Sequence, residues 1–292
     1  MAAAPELLAE TTEVAFRHRP LRLHAVHTAP AAGCHPPLLL LHGMASSWRQ
    51  WRATMVRLGP GLPLAALDFP GFGDSAAPRQ PMEAPDYADV CEAWCRIHRW
   101  PALAAVGHSF GGAVLVDWAS RYPRRFTSLG LLAPAVIRHP WYSAGRGPIR
   151  WPLVGRLALP FFLWLISTRA LGPRYFGHIV SDLTAVTEEE TRDLQWGCRR
   201  AREMLRALDY YEFAGLAERM ASIEVPVTIG WGTHDRVVPH SDSAILTARL
   251  PRHRLCTWAG CGHVPMLERR AECDALLRTV WRDRRPVGAA AT

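Results

Sequence analysis

The chain has 292 residues, is 49% hydrophobic and carries a formal net charge of +8. That length holds one large α/β domain or two small ones, with ample apolar material for a core. The charge is all arginine, for the sequence contains no lysine and no asparagine, and the arginines are scattered, with pairs at 124–125, 199–200, 269–270 and 284–285 but no long basic run. A nucleic-acid partner is therefore not expected.

The first residues, "MAAAPELLAETTEV", carry three glutamates and lack a positive region followed by a long apolar one, so they do not read as a secretory signal. Apolar runs that end in small or polar residues then recur: "LLLLHG" (38–43), "LAALDFPG" (64–71), "ALAAVGHS" (102–109) and "LGLLAPA" (129–135). Helical spacing separates them, from Asp86 to His98 and from Phe110 to Arg121. Nearly continuous apolar strands alternating with helices predict an α/β fold, with a mostly parallel central sheet covered by helices on both faces. The pattern resumes with "VPVTIGWG" (225–232), a helix from about His240 to Leu250, "RLCTWAG" (254–260) and a last helix over Pro265 to Arg282.

About ninety residues separate the fourth run from the resumption, where a crossover needs only a dozen or so. The expected division is a core of 1–135 and 218–292 with a helical cap inserted at 136–217. Thr187 and Glu190 form a capping-box pattern opening a helix to about Tyr210, with Leu194, Cys198, Ala201, Leu205 and Leu208 on one face. Trp141, Trp151, Phe161, Phe162, Trp164, Tyr175 and Phe176 give the insertion an aromatic surplus, which reads first as packing. Arg156 and Pro160 interrupt the apolar segment 152–167, and its clean run "LPFFLWLI" is far short of the roughly 20 residues a spanning helix needs. No stable membrane insertion is expected, although contact with a membrane surface stays open. Seven cysteines without a CxxC pattern, with Cys91 and Cys95 four apart on one helix face, suggest reduced thiols and a cytoplasmic protein. The tail "RRPVGAAAT" is expected to be disordered.

The chemistry centres on "GHSFGG" (107–112), a lone Ser109 where a strand becomes a helix. A serine hydroxyl needs a base, an orienting acid and an oxyanion site to act as a nucleophile. Flanking glycines permit a sharp strand-to-helix elbow that lifts the hydroxyl above the sheet, with the Phe110 N–H facing any anion formed there. Asp235 lies just past the strand in "GTHDRVVP", and His263 just past the next in "GCGHVPMLE". The loop after His42-Gly43 offers the Met44 N–H as a second oxyanion donor. His234 and His240 compete with His263 as the base; His234 adjoins Asp235 and reads as a surface or loop residue. His42 and His108 read as packing or hydrogen-bonding residues, and Asp68 and Asp74 as stabilisers of the "DFPGFGDS" loop. No cofactor and no metal is implied, since no cluster has ligand spacing and "GFG" at 71–73 is a turn.

The set "HGMASSW" (42–48), "DFPGFGDS" (68–75), "GHSFGG", "GTHDRVVP" and "GCGHVPMLE" resembles the α/β-hydrolase superfamily, in particular its branch with a helical cap between the sixth and seventh core strands. The resemblance covers residues 13 to 283 and implies Ser109 as nucleophile, Asp235 as acid, His263 as base, and Met44 and Phe110 as oxyanion donors. Serine at 109 argues against the relatives that use aspartate there. The implied activity is hydrolysis of an ester, thioester or related acyl bond in a partly apolar small molecule. Carbon–carbon bond hydrolysis and acyl transfer with the same residues are enzymatic alternatives; a ligand-binding protein on the same fold is the non-enzymatic one. Natural substrate and oligomeric state stay open.

Overall fold

The computed structural model describes residues 5–28, 36–80, 82–137, 161, 163–166, 168, 171–201 and 215–284. Its strands are β1 (Leu7–Phe16), β2 (Arg19–Thr28), β3 (Leu38–Leu41), β4 (Leu64–Leu67), β5 (Leu103–His108), β6 (Phe126–Leu132), β7 (Val227–Gly232) and β8 (His253–Trp258). The principal helices are α1 (Arg52–Leu58), α2 (Ala84–Ile97), α3 (Phe110–Arg121), α4 (Gly172–Ile179), α5 (Glu188–Arg200), α6 (Asp242–Arg249), α7 (Pro265–Glu268) and α8 (Arg270–Arg282).

The eight strands form one sheet in the order β1-β2-β4-β3-β5-β6-β7-β8. From β4 to β8 every neighbouring pair is parallel, and β2 joins β4 antiparallel. Alternation along each central strand sends side chains to two cores. Leu39, Leu41, Ala105 and Leu131 pack under α2 and α3 with Trp94 and Trp118, whereas Leu38, Leu40, Val106 and Leu132 pack under α1 and α8 with Met55, Leu277 and Val280. Burial on both faces explains why these strands read as unbroken apolar runs.

The β1–β2 hairpin was not anticipated. Its two turn residues, Arg17 and His18, have φ of 47° and 63°, a geometry ordinarily marked by Asn-Gly or Asp-Gly, and neither residue carries that signal. The final helix also differs from expectation. Pro265–Arg282 is broken at Arg269, whose φ of −127° and ψ of 59° separate α7 from α8.

The insertion leaves the sheet after β6 and returns at β7. α5 begins with the expected capping box: the Glu190 N–H donates to Thr187 Oγ1 at 3.2 Å, and the Thr187 N–H donates back to the Glu190 carboxylate at 2.8 Å. The helix ends at Arg200, short of the anticipated Tyr210, because Ala201 leaves helical geometry at ψ 67°. Residues 202–214, most of the apolar segment 152–167, Trp141, Trp151, Phe162 and the tail from 285 lie outside the described residues. Among the described residues no helix is long and apolar enough to cross a membrane.

Candidate active site

β5 runs into α3 through Ser109, which holds φ 52° and ψ −116°. A positive φ is costly for a residue with a side chain and persists only where the surroundings enforce it. Here the Ser109 N–H donates to the Leu132 carbonyl (2.9 Å), and its own carbonyl accepts from Ala113 (3.1 Å) and Ala135 (3.0 Å). The elbow also needs two bare Cα positions. A Cβ on Gly107 would sit 2.4 Å from the Gly111 carbonyl oxygen, and one on Gly111 would sit 2.6 Å from the His42 and Leu41 carbonyl oxygens. As the first residue of α3, Phe110 has an N–H without an intrahelical acceptor.

His263 follows β8 and Asp235 follows β7, adjacent strands of the sheet. His263 Nδ1 lies 2.7 Å from Asp235 Oδ2, and the Val237 and Val238 N–H groups both donate to Asp235 Oδ1 at 2.8 Å. Two backbone donors on the second oxygen fix the carboxylate so that its other oxygen faces the ring. Both residues are buried. His234 is exposed and contacts Thr233, and His240 contacts Thr257.

Ser109 and His263 line one cavity of about 190 Å³, together with Met44, Gln50, Tyr175, Phe176, Ile179, Leu194, Cys198 and Val264 among others. α4 and α5 of the insertion supply Tyr175 through Cys198, so the inserted segment forms one wall. Apart from the imidazoles of His108 and His263, the described lining carries no ionisable nitrogen or carboxylate, and burial pushes the Cys198 thiol up to about 12. A larger cleft of about 600 Å³, between the β1–β2 hairpin and residues 76–80, contains none of these groups.

The supporting histidines act as the sequence suggests. His42 Nε2 accepts the Phe69 N–H at 3.1 Å, which leaves Nδ1 to donate to the Gly43 carbonyl at 2.7 Å. This holds the turn carrying Met44, and Gln50 Oε1 accepts the Gly43 N–H at 3.2 Å. His108 Nε2 donates to the His263 carbonyl at 2.7 Å. Burial holds the pKa of both His42 and His108 below the ordinary value, His108 well below, so both rings are neutral.

His24, Asp68 and Asp74 bring possible metal-ligand atoms within 4.8 Å of one another. The Asp68 carboxylate is already committed, accepting N–H groups of Trp48 (2.7 Å) and Asp74 (2.9 Å) and facing His24 Nδ1 (2.9 Å). That chemistry stabilises the loop and does not favour a cation. Sequence reasoning did not single out Gln50 or Glu268; neither type signals a role until its partners are seen.

Residues 35–270 match the family described as "Serine aminopeptidase, S33", a branch of the α/β-hydrolase superfamily. The chain belongs to that family and is a hydrolase of α/β-hydrolase fold. It is 26% identical to the pimeloyl-[acyl-carrier protein] methyl ester esterase of Aromatoleum aromaticum, over 85% of this chain and 98% of that protein. It is also 26% identical to the monoacylglycerol lipase abhd6-B of Xenopus laevis, over 84% and 75% respectively. Among solved structures, an esterase from Exiguobacterium antarcticum superposes with a TM-score of 0.76 at 15% identity, over 93% of this chain and all of that one, a likeness of fold.

Proposed function

We propose that the chain is a serine esterase that hydrolyses a neutral, partly apolar acyl ester through an acyl-enzyme on Ser109. The carrying observation is the strained Ser109 elbow opening into a cavity shared with His263, itself bonded to Asp235 at 2.7 Å. In this reading His263 Nε2 takes the Ser109 proton as Oγ attacks the ester carbonyl. Asp235 keeps the other nitrogen protonated and stabilises the imidazolium. The Met44 and Phe110 N–H groups receive the developing oxyanion. His263 then protonates the leaving alcohol, and a water deprotonated by the same ring attacks the acyl-enzyme, releasing the acid and restoring Ser109.

The esterase and lipase named among the relatives support an acyl ester as substrate. An apolar cavity of ~150 Å³ admits a benzene-sized group; at about 190 Å³, this one suits a short to medium acyl chain. The described lining gives no ion-pair partner to a charged acyl group. We take 136–217 as the cap and 1–135 with 218–292 as the core, the cap selecting the acyl group.

The test is intact and peptide mass spectrometry after fluorophosphonate treatment of the wild type and of His263→Ala. One adduct on Ser109, lost in the variant, is the expected result; a folded wild type that takes no label overturns the reading. Ser109→Ala should lower ester turnover by about a thousandfold or more, leaving only what binding and the oxyanion donors provide.

A further inference from the structure

The carboxylate of Glu268 is buried and, among the described residues, forms no ion pair. Its acceptor capacity is met by backbone instead. Oε2 takes the Ser181 N–H at 2.8 Å and the Asp182 N–H at 3.4 Å, and both oxygens lie 3.1 Å from the Gly262 nitrogen. Ser181 and Asp182 follow α4 directly in the inserted segment, while Gly262 precedes His263. One side chain thus spans two stretches of chain about eighty residues apart in sequence.

A second bond runs beside it. The His263 N–H donates to the Ile179 carbonyl, the last residue of α4, at 2.7 Å. The approach is so close that a Cβ on Gly262 would sit 2.7 Å from Ser181 N and 2.8 Å from both Ile179 O and Glu268 Oε1. On the other side of the same residue, His108 holds the His263 carbonyl. The backbone of His263 is therefore gripped at its N–H by the inserted segment and at its C=O by the core. α4 carries Tyr175, Phe176 and Ile179 into the cavity wall.

We propose that Glu268 is a positioning residue that ties the seating of the cap to the seating of His263, so that the imidazole is aligned on Ser109 only when the 179–182 segment is docked. The proposal rests on the esterase reading of the same site. Burying a carboxylate solely on backbone N–H groups is costly unless all of them are delivered together. Undocking 179–182 would leave the Glu268 carboxylate only the donors of its own loop, Gly262 and Val264, and release the Ile179 bond to His263. Substrate contacts with α4 then favour the docked state and, through Glu268, the aligned histidine.

The experiment compares wild type, Glu268→Ala and Glu268→Gln by three readouts. These are the rate of fluorophosphonate labelling at Ser109, kcat and KM for one short acyl ester, and the far-downfield proton resonance of the His263 Nδ1–H bonded to Asp235. An ångström of misalignment costs up to about a hundredfold in rate. Labelling and kcat should fall about tenfold or more in Glu268→Ala with little change in KM, and the downfield resonance should broaden or shift. Glu268→Gln keeps one acceptor oxygen and should lie between the two. If Glu268→Ala does not fold, Glu268→Gln decides alone, a fall of about threefold or more supporting the proposal. Wild-type labelling and an unchanged resonance in either folded variant overturn it, as does a fall that merely tracks lost folded protein. A wild type inert to the probe defeats the esterase reading instead, and the resonance still reports whether Glu268 positions His263.

Discussion

At the scale of single residues, the site depends on where atoms are missing as much as on where they are present. Gly107 faces the Gly111 carbonyl so closely that a methyl group would meet backbone, which cannot rotate away. Gly107→Ala should therefore push α3 off β5, costing about 1–3 kcal/mol by overpacking and slowing Ser109 labelling more than stability alone explains. A thermal melt paired with labelling kinetics on the variant checks this; an unchanged melt and rate would show that the elbow can relax. Ser109, Asp235 and His263 were legible because residue type, strand end and chain order all pointed the same way. Glu268 was not, since a glutamate five residues past a histidine says nothing until the Ser181 and Gly262 N–H groups arrive beside it.

At the scale of elements, α5 is held to the core by polar contacts as well as by the packing of Leu194 and Cys198. Arg52 bonds Asp193 at 2.7 Å and pairs with Glu189, Arg270 bonds Glu190 at 2.6 Å, and the Arg49 guanidinium lies 4.5 Å from the centre of the Trp196 ring. Gly197 lets the helix lie against the 45–46 backbone, beside Met44. Exposed pairs are weak, but Asp193 is only 9% exposed, and its loss leaves the partly buried Arg52 with Glu189, an exposed carboxylate, as its remaining partner. Asp193→Ala should cost about 1–2 kcal/mol of local stability, seen as faster amide exchange across α5 and a raised KM, with kcat changed less. Uniform exchange in α5 would mean that apolar contacts through Leu194 and Cys198 suffice. The helix start at Thr187 was readable because a capping box is local; the face that meets arginines from two separate core helices was not.

For the molecule as a whole, the central sheet buries titratable rings between its layers. His42 and His108 are held neutral by burial, their pKa values below 6.5. On acidification the unfolded chain takes up these protons first, so their contribution to stability is complete above pH 6.5 and is lost as pH falls below it. Glu268 and Asp193, whose carboxyls burial raises, take protons in the folded state first and blunt the loss at lower pH. The unfolding free energy from urea titration should fall between pH 7 and pH 5.5, by about 1 kcal/mol per pH unit for each imidazole that stays neutral, lowering the midpoint. A flat midpoint over that range would show that the folded protein accepts the protons.

The amino-acid sequence by itself determined the alternation of strands and helices, and it supplied the expected place of the insertion and the candidate triad. These follow from periodicity and turn chemistry, which act over a few neighbouring positions. The tertiary structure decided what depends on contacts between distant segments. It added the β1–β2 hairpin, whose Arg17-His18 turn carries no glycine, and it broke the last helix at Arg269. It brought α4 against the His263 loop and placed Glu268 between them. A buried backbone N–H must find an acceptor wherever folding puts it, and which acceptor that is depends on two stretches of chain meeting in space.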